Sequence, residues 1–378
     1  MQNPNRTIKP NSELGIIVLE SCKELGQKIN NSLIKRRMEM SEFSGTLKES
    51  YLISKNEVRF SNGEGKVVLN DSVRGKDIYV VCDIGNYSCT YEMFGFTNHK
   101  SPDDHFQDIK RVLSAIEGKA RKITVIMPLL YASRQHRRRS RESLDCAIAL
   151  QELERLGVKD IITFDVHDPT VQNAIPLISF DNIYPSQEII KMFIHEEDLQ
   201  IDKESMLVIS PDTGAMDRAI YYSGVLGLDV GLFYKRRDHS KVIGGKNPIV
   251  QHEYMGREIE GKDVLIVDDM ISSGESIFDI VDELKKRKAR RIFVSATFAL
   301  FAKGVKKFNK YYKDGLIDKV YSTNLTYIPE EARNSDWFRE VDMSNLIGGI
   351  INNLNLDLSI GPLVHDTTYL DEIKMKKE

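Results

Sequence analysis

Cysteine is scarce in this chain: the 4 present, Cys22, Cys82, Cys89 and Cys146, stand far apart, with no Cys-x-x-Cys pair and no histidine at ligand spacing. That spacing excludes a disulfide framework and offers no zinc-finger pattern. Long apolar runs are missing too, since nowhere do ~18 apolar residues follow one another, and no membrane-spanning helix is expected. Met1 to Glu13 lacks the apolar core of a secretory signal, so a cytoplasmic protein is expected. There is no excess of positive charge: 53 basic residues against 56 acidic ones argue against a nucleic-acid backbone as partner. No P-loop and no Gly-x-Gly-x-x-Gly fingerprint occurs, so any nucleotide is held in another way and a dinucleotide cofactor is not indicated.

What is present is a chain of 378 residues, long enough for two cores, because domains typically hold roughly 100–200 residues. Short β-branched runs recur at Ile78–Cys82, Ile123–Met127, Ile161–Phe164, Leu207–Ile209, Val230–Phe233, Val264–Val267 and Ile292–Ser295. Helical spacing lies between them, as in Leu144, Ala147, Leu150 and Leu153, and again from about Ser276 to Lys288. This alternation predicts βαβ units and mostly parallel sheets.

A faint internal repeat accompanies the alternation. Gly75-Lys76-Asp77-Ile78 returns as Gly261-Lys262-Asp263-Val264, and Ala120-Arg121-Lys122-Ile123 as Ala289-Arg290-Arg291-Ile292. Duplicated domains with unequal loops would produce this. The turn-formers Asp181, Asn182 and Pro185 suggest a boundary near 180–186. The reading is a polar segment 1–13, domains 14–182 and 183–351, and a charged tail 352–378.

The segment Val264 to Ser276 runs from an apolar strand through Asp268 and Asp269 into Ser272-Ser273-Gly274-Glu275-Ser276 and a helix. Two carboxylates at a strand's carboxyl end can accept from sugar hydroxyls. The turn after them offers a phosphate its N–H groups, its hydroxyls and the positive end of a helix dipole. Elsewhere, Arg59-Phe60-Ser61-Asn62-Gly63-Glu64 sets an aromatic ring among polar groups, which suits a purine. Ser133-Arg134-Gln135-His136-Arg137 opens a cationic loop suited to phosphates. Phe164-Asp165-Val166-His167 and Ser210-Pro211-Asp212-Thr213-Gly214 each follow a strand, and Tyr234-Lys235-Arg236-Arg237 opens a polar stretch, 238–253, expected to be mobile.

These residues resemble the ribose-phosphate diphosphokinase family, from about Arg59 to Ile350. The segment at 268–276 is similar to the phosphoribosyl diphosphate motif of the type I phosphoribosyltransferase fold. The resemblance implies an α/β protein of two tandem type I phosphoribosyltransferase-like domains with mostly parallel sheets. It also implies transfer of the diphosphoryl group of Mg-ATP to ribose 5-phosphate. By that resemblance Phe60, Asn62, Glu64, Arg134, Gln135 and His167 bind ATP, while His167 and Asp212 face Mg2+. Asp268, Asp269 and the turn Ser272, Ser273, Gly274, Glu275 and Ser276 bind ribose 5-phosphate, and Lys235 and Arg237 stabilise the transferring group. Family members form dimers that build hexamers, so a homo-oligomer is implied. Three departures stand out: Asn62 where Asp is usual, the Arg134–Glu142 loop, one residue shorter and with His136 where Asp is usual, and Ser272 where Asp is usual. A catalytically silent regulatory homologue and a phosphoribosyltransferase are the alternative readings. Between Asp83 and Phe106 lies an insert carrying Tyr87, Tyr91, Phe94 and Phe96, to which no function is assigned.

Overall fold

The computed structural model describes residues 8–138, 140–196, 199–237 and 249–365, and of 235–237 and 249–252 the backbone alone. The chain divides into two units, Met1–Tyr184 with Leu325–Tyr327 and Asp342–His365 in the first, and Pro185–Asn324 with Ile328–Val341 in the second.

In the first unit the strands are β1 (Leu14–Val18), β2 (Lys55–Arg59), β3 (Gly65–Leu69), β4 (Asp77–Val81), β5 (Thr90–Met93), β6 (Phe96–His99), β7 (Lys122–Ile126), β8 (Asp160–Phe164) and β9 (Ser179–Ile183). Five of them form one parallel sheet in the order β1-β4-β7-β8-β9, and β2-β3 and β5-β6 are separate antiparallel hairpins. Strands β4 and β8 are buried along their whole length, which is why they read as unbroken apolar runs rather than alternating ones. The helices of this unit include α1 (Lys23–Glu39), α2 (Pro102–Ile116) and α3 (Asp145–Arg155). Helix α2 begins on a capping box in which Ser101 and Asp104 each accept from the other's backbone N–H, with Pro102 at its first turn.

The sequence reading assigns residues 342–351 to the second domain, but in the structure the helix Ser344–Asn355 belongs to the first unit. The cause is polar. Arg37 of α1 is 3% exposed and donates from Nε to Asn352 Oδ1 at 3.0 Å and from a terminal nitrogen to Asn355 Oδ1 at 2.6 Å. Asn355 in turn donates to Asp77 at 2.9 Å. A buried guanidinium without such acceptors would cost several kcal/mol, so the returning helix completes this unit.

The second unit contains β10 (Met206–Ser210), β11 (Asp229–Arg237), β12 (Ile249–Met255), β13 (Asp263–Ile271), β14 (Ile292–Ala299), β15 (Lys319–Thr323) and β16 (Phe338–Val341). They form one sheet in the order β12-β11-β10-β13-β14-β15-β16, parallel except for the β11–β12 pair. Residues 249–253, read from sequence as part of a mobile stretch, are therefore an edge strand. Its helices include α4 (Ser186–Glu196), α5 (Met216–Leu226), α6 (Glu275–Lys286) and α7 (Lys306–Lys313). Helix α6 places Ile277, Phe278, Ile280, Val281 and Leu284 in the core with Val264, Ile266, Ile292 and Val294 of the sheet. Each such side chain contributes about 1.5–3 kcal/mol on leaving water.

The internal repeat is carried into three dimensions. Arg121 forks onto Asp77 at 3.0 and 3.2 Å at the start of β4, and Arg290 forks onto Asp263 at 2.7 and 2.7 Å at the start of β13. The backbone agrees: Gly75 N–H donates to Lys119 O at 2.9 Å and Gly261 N–H to Lys288 O at 3.0 Å. Two charge pairs and two turns in the same register make the units copies of one plan.

Candidate active site

The carboxyl ends of β10 and β13 lie side by side in the second unit because these strands are neighbours in the sheet. Asp212, Asp268 and Asp269 therefore gather at one edge. Asp212 Oδ1 accepts from the N–H of Gly214 at 2.8 Å and of Ala215 at 3.2 Å, and Ser210 Oγ donates to the Asp212 carbonyl at 2.7 Å. Burial raises the Asp268 carboxyl well above its ordinary range, and the negative charges of Asp269 and Asp212 push it further. The neighbouring Asp269 is itself buried and lies 4.0 Å from Arg218 of α5. Crowded carboxylates at a strand edge favour ligands that bring hydroxyl donors or a cation.

Beyond them the chain turns through Ser272-Ser273-Gly274 into α6. Gly274 has φ +83° and serves as the N-cap without a side chain of its own, and the N–H of Glu275, first residue of α6, donates to Ser273 Oγ at 3.4 Å. The N–H of Ala302 donates to Ser272 O at 2.8 Å and that of Leu300 to Ile271 O at 2.9 Å, which ties the turn to the chain after β14. Glu275, at the first turn of α6, pairs with Lys307 at 2.9 Å and Lys303 at 3.4 Å. These lysines lower its pKa and offset its charge beside the turn. The amides of this helix start can hold a phosphate; the Glu275 carboxylate itself is engaged by lysine.

In the first unit the candidate nucleotide residues fall in two places. Phe60 is half exposed at the tip of β2-β3, where its N–H donates to Glu64 O at 2.8 Å and Gly63, at φ +89°, closes the turn. Asn62 uses both ends of its amide on Glu64, at 2.9 and 3.1 Å. The hairpin is fixed by Arg59, which donates to both Asp108 oxygens at 2.9 and 3.1 Å and stands 5.1 Å over the Tyr91 ring. The insert thereby gains a structural role: its β5-β6 hairpin braces the Phe60 hairpin, with Phe94 N–H donating to Ser61 O at 3.0 Å. Arg134, Gln135 and His167 occupy the loops after β7 and β8, all three exposed, and Ser143 donates to Gln135 at 3.2 Å. Arg139 lies outside the described residues.

Lys235 and Arg237 close β11, where Lys235 pairs with His252 and Arg237 with Ile249 of β12; their side chains, and residues 238–248 with Gly244-Gly245-Lys246, lie outside the described part. Arg218, Lys303 and Lys307 escape sequence reasoning. Nothing near them marks chemistry, because they reach the site only through the packing of α5, α7 and the segment between β14 and α7.

A magnesium ion fits this donor set in one particular way. Among the described residues no cluster of three His, Cys, Asp or Glu side chains closes around a metal position. Mg2+ is usually held by one or two carboxylates together with water and substrate phosphate oxygens, and Asp212 offers hard oxygens for that. Among the described residues no helix is long and apolar enough to cross a membrane.

The chain is similar to known proteins along most of its length. Residues 14–157 match the family model described as the N-terminal domain of ribose phosphate pyrophosphokinase, and residues 179–328 the phosphoribosyl transferase domain. The chain is similar to the ribose-phosphate pyrophosphokinase of Vibrio cholerae serotype O1, 26% identical over 310 residues that span 81% of this chain and 89% of that one. Its similarity to the Ralstonia nicotianae ribose-phosphate pyrophosphokinase is 27% over 293 residues, 76% and 83% of the two chains. Among solved structures, phosphoribosylpyrophosphate synthetase from Mycobacterium smegmatis superposes with TM-score 0.72 at 20% identity, covering 90% of this chain and 98% of that one, a likeness of fold.

Proposed function

Because the chain belongs to the ribose-phosphate pyrophosphokinase family of enzymes, we propose that it makes phosphoribosyl diphosphate by moving the diphosphoryl group of ATP onto the C1 hydroxyl of ribose 5-phosphate. The C1 oxygen attacks the β-phosphorus in line, the bond from that phosphorus to the α-phosphate oxygen breaks, and AMP leaves. Asp268 and Asp269 accept from the ribose hydroxyls, and the amides of the 272–276 turn hold the 5-phosphate. Phe60, Asn62, Glu64, Arg134, Gln135 and His167 hold ATP. Lys235 and Arg237 offset the charge that develops on the transferring group, as positioned cations do in phosphoryl transfer. Asp212 in the second unit would hold Mg2+, which when bound neutralises phosphate charge, and His167 is the metal-facing candidate of the first unit. A homo-oligomer, in which Phe60 of one copy meets adenine held by another, belongs to the same reading.

One observation carries the proposal: two crowded carboxylates lead directly into a helix start whose N-cap, Gly274, has no side chain, in the unit that matches the phosphoribosyl transferase model. The test is AMP release as a function of ribose 5-phosphate. Wild type should release AMP only when the sugar phosphate is present, and Lys235→Ala should slow release on the order of a hundredfold. Wild type that binds phosphoribosyl diphosphate but releases no AMP would leave the transferase reading in its place.

A further inference from the structure

Two loops leave the carboxyl ends of the adjacent strands β7 and β8, and on the proposed function both face ATP. One carries Arg134 and Gln135, the other His167. Between them, His136 Nε2 lies 3.3 Å from Asp168 Oδ2. The His136 side chain is only 11% exposed although Arg134, Gln135, Arg137 and Arg138 around it are all exposed. Among the described residues its buried Nδ1 has no hydrogen-bond partner, and the ring is held through Nε2. Asp168 is itself fixed: Oδ1 accepts from the N–H of Thr170 at 2.9 Å and from its hydroxyl at 2.6 Å, capping the short 3-10 helix Pro169–Ala174. That leaves Oδ2 turned to His136. The His136 and His167 rings are 5.5 Å apart between centroids, tilted 55°.

A loop of exposed like charges repels itself and has little reason to keep one shape. A single buried anchor changes that. We propose that the His136–Asp168 contact is the strut that sets the Arg134–Gln135 loop against His167, making His136 and Asp168 positioning residues for the nucleotide. The inference rests on the assignment of ATP to these loops. The strut touches no reacting atom; it limits how far the guanidinium of Arg134 can drift from the imidazole of His167. Misplacement of such groups by about 1 Å is enough to lower activity substantially.

Two near-isosteric replacements separate this role from a merely structural one. Glutamine places its amide nitrogen where Nε2 stands and can keep the Asp168 contact; asparagine reaches only as far as Nδ1 and loses it. Affinity for a non-hydrolysable ATP analogue is measured by calorimetry on the full chain, beside KM for ATP, KM for ribose 5-phosphate and the melting temperature. His136→Asn should weaken ATP binding and raise its KM on the order of tenfold with KM for ribose 5-phosphate within about twofold, while His136→Gln stays near wild type. The proposal is overturned if glutamine weakens ATP as much as asparagine does, or if both lower the melting temperature and leave ATP affinity unmoved. Wild type that binds the ATP analogue yet releases no AMP would sink the proposed reaction and leave the strut to be judged on binding. Wild type that binds no nucleotide overturns both.

Discussion

The ring of Phe308, on α7, stands 2.8 Å from where a Cβ on Gly274 would lie. Two constraints meet at this position, because Gly274 also has φ +83°, a conformation other residues adopt at a cost of about 1–3 kcal/mol. The turn's shape, and so the direction of the first amides of α6, depends on there being no side chain. Gly274→Ala should raise KM for ribose 5-phosphate on the order of tenfold or more and lower the melting temperature by several degrees, with ATP affinity retained. Steady-state kinetics with each substrate varied in turn checks this.

Asp269, buried and 4.0 Å from Arg218, should lose a ribose contact when shortened. For Asp269→Ala the expected result is a KM for ribose 5-phosphate raised on the order of tenfold with ATP binding spared. Equal weakening of both substrates would move Asp269 out of the sugar site.

Asp83 sits at the end of β4, fully enclosed, accepting from the N–H of Gly85 and of Tyr327 at 2.8 Å each and from Thr326 Oγ1 at 3.1 Å. Burial raises its pKa from 3.8 to about 7, against the pull of those donors. A carboxyl whose pKa is raised on folding keeps a proton in the native state that the unfolded chain has already released. Its contribution to stability is therefore full below about pH 4 and is lost as pH rises toward 7, by up to about 1.4 kcal/mol per unit. Asp268 acts in the same direction. Asp83→Asn should flatten the fall in stability between pH 5 and pH 7, read from urea midpoints at the two values; an unchanged slope would reject the assignment.

Asn355 ties together Arg37, Asp77 and the Ser12 carbonyl while only 1% exposed. Truncating it strands a buried guanidinium and a buried carboxylate. Asn355→Ala should cost about 1–3 kcal/mol in chemical denaturation, and Asn353→Ala, whose amide bonds a surface carbonyl, much less.

The contrast between Asn355 and the 264–276 segment shows which features a sequence can carry. Strand, acids, turn and helix start follow one another along 264–276, so their chemistry is legible from local order alone. The parallel strands are legible for a related reason: buried on both faces, they are continuous apolar runs. Arg37 reads as an ordinary surface cation in a polar helix, and only the return of Ser344–Asn355 from the far end of the chain buries it. Strand β12 hides in a polar stretch because an edge strand needs no apolar run. The pairing of His136 with Asp168 is invisible for the same reason as Arg218 with Asp269: residues from separate elements meet only after the sheet is built. The repeat, by contrast, stands in Gly75-Lys76-Asp77 and Gly261-Lys262-Asp263 themselves, independent of the pairing with Arg121 or Arg290.

The central claim is the transfer of a diphosphoryl group to ribose 5-phosphate, and phosphorus-31 resonance of the full chain with magnesium, ATP and ribose 5-phosphate tests it most directly. The account predicts that ATP signals give way to AMP and to a diphosphate ester on the sugar in equal amounts, with neither product when ribose 5-phosphate is withheld. Growth of ADP with a sugar bisphosphate, or ATP left intact in the complete mixture, would contradict it.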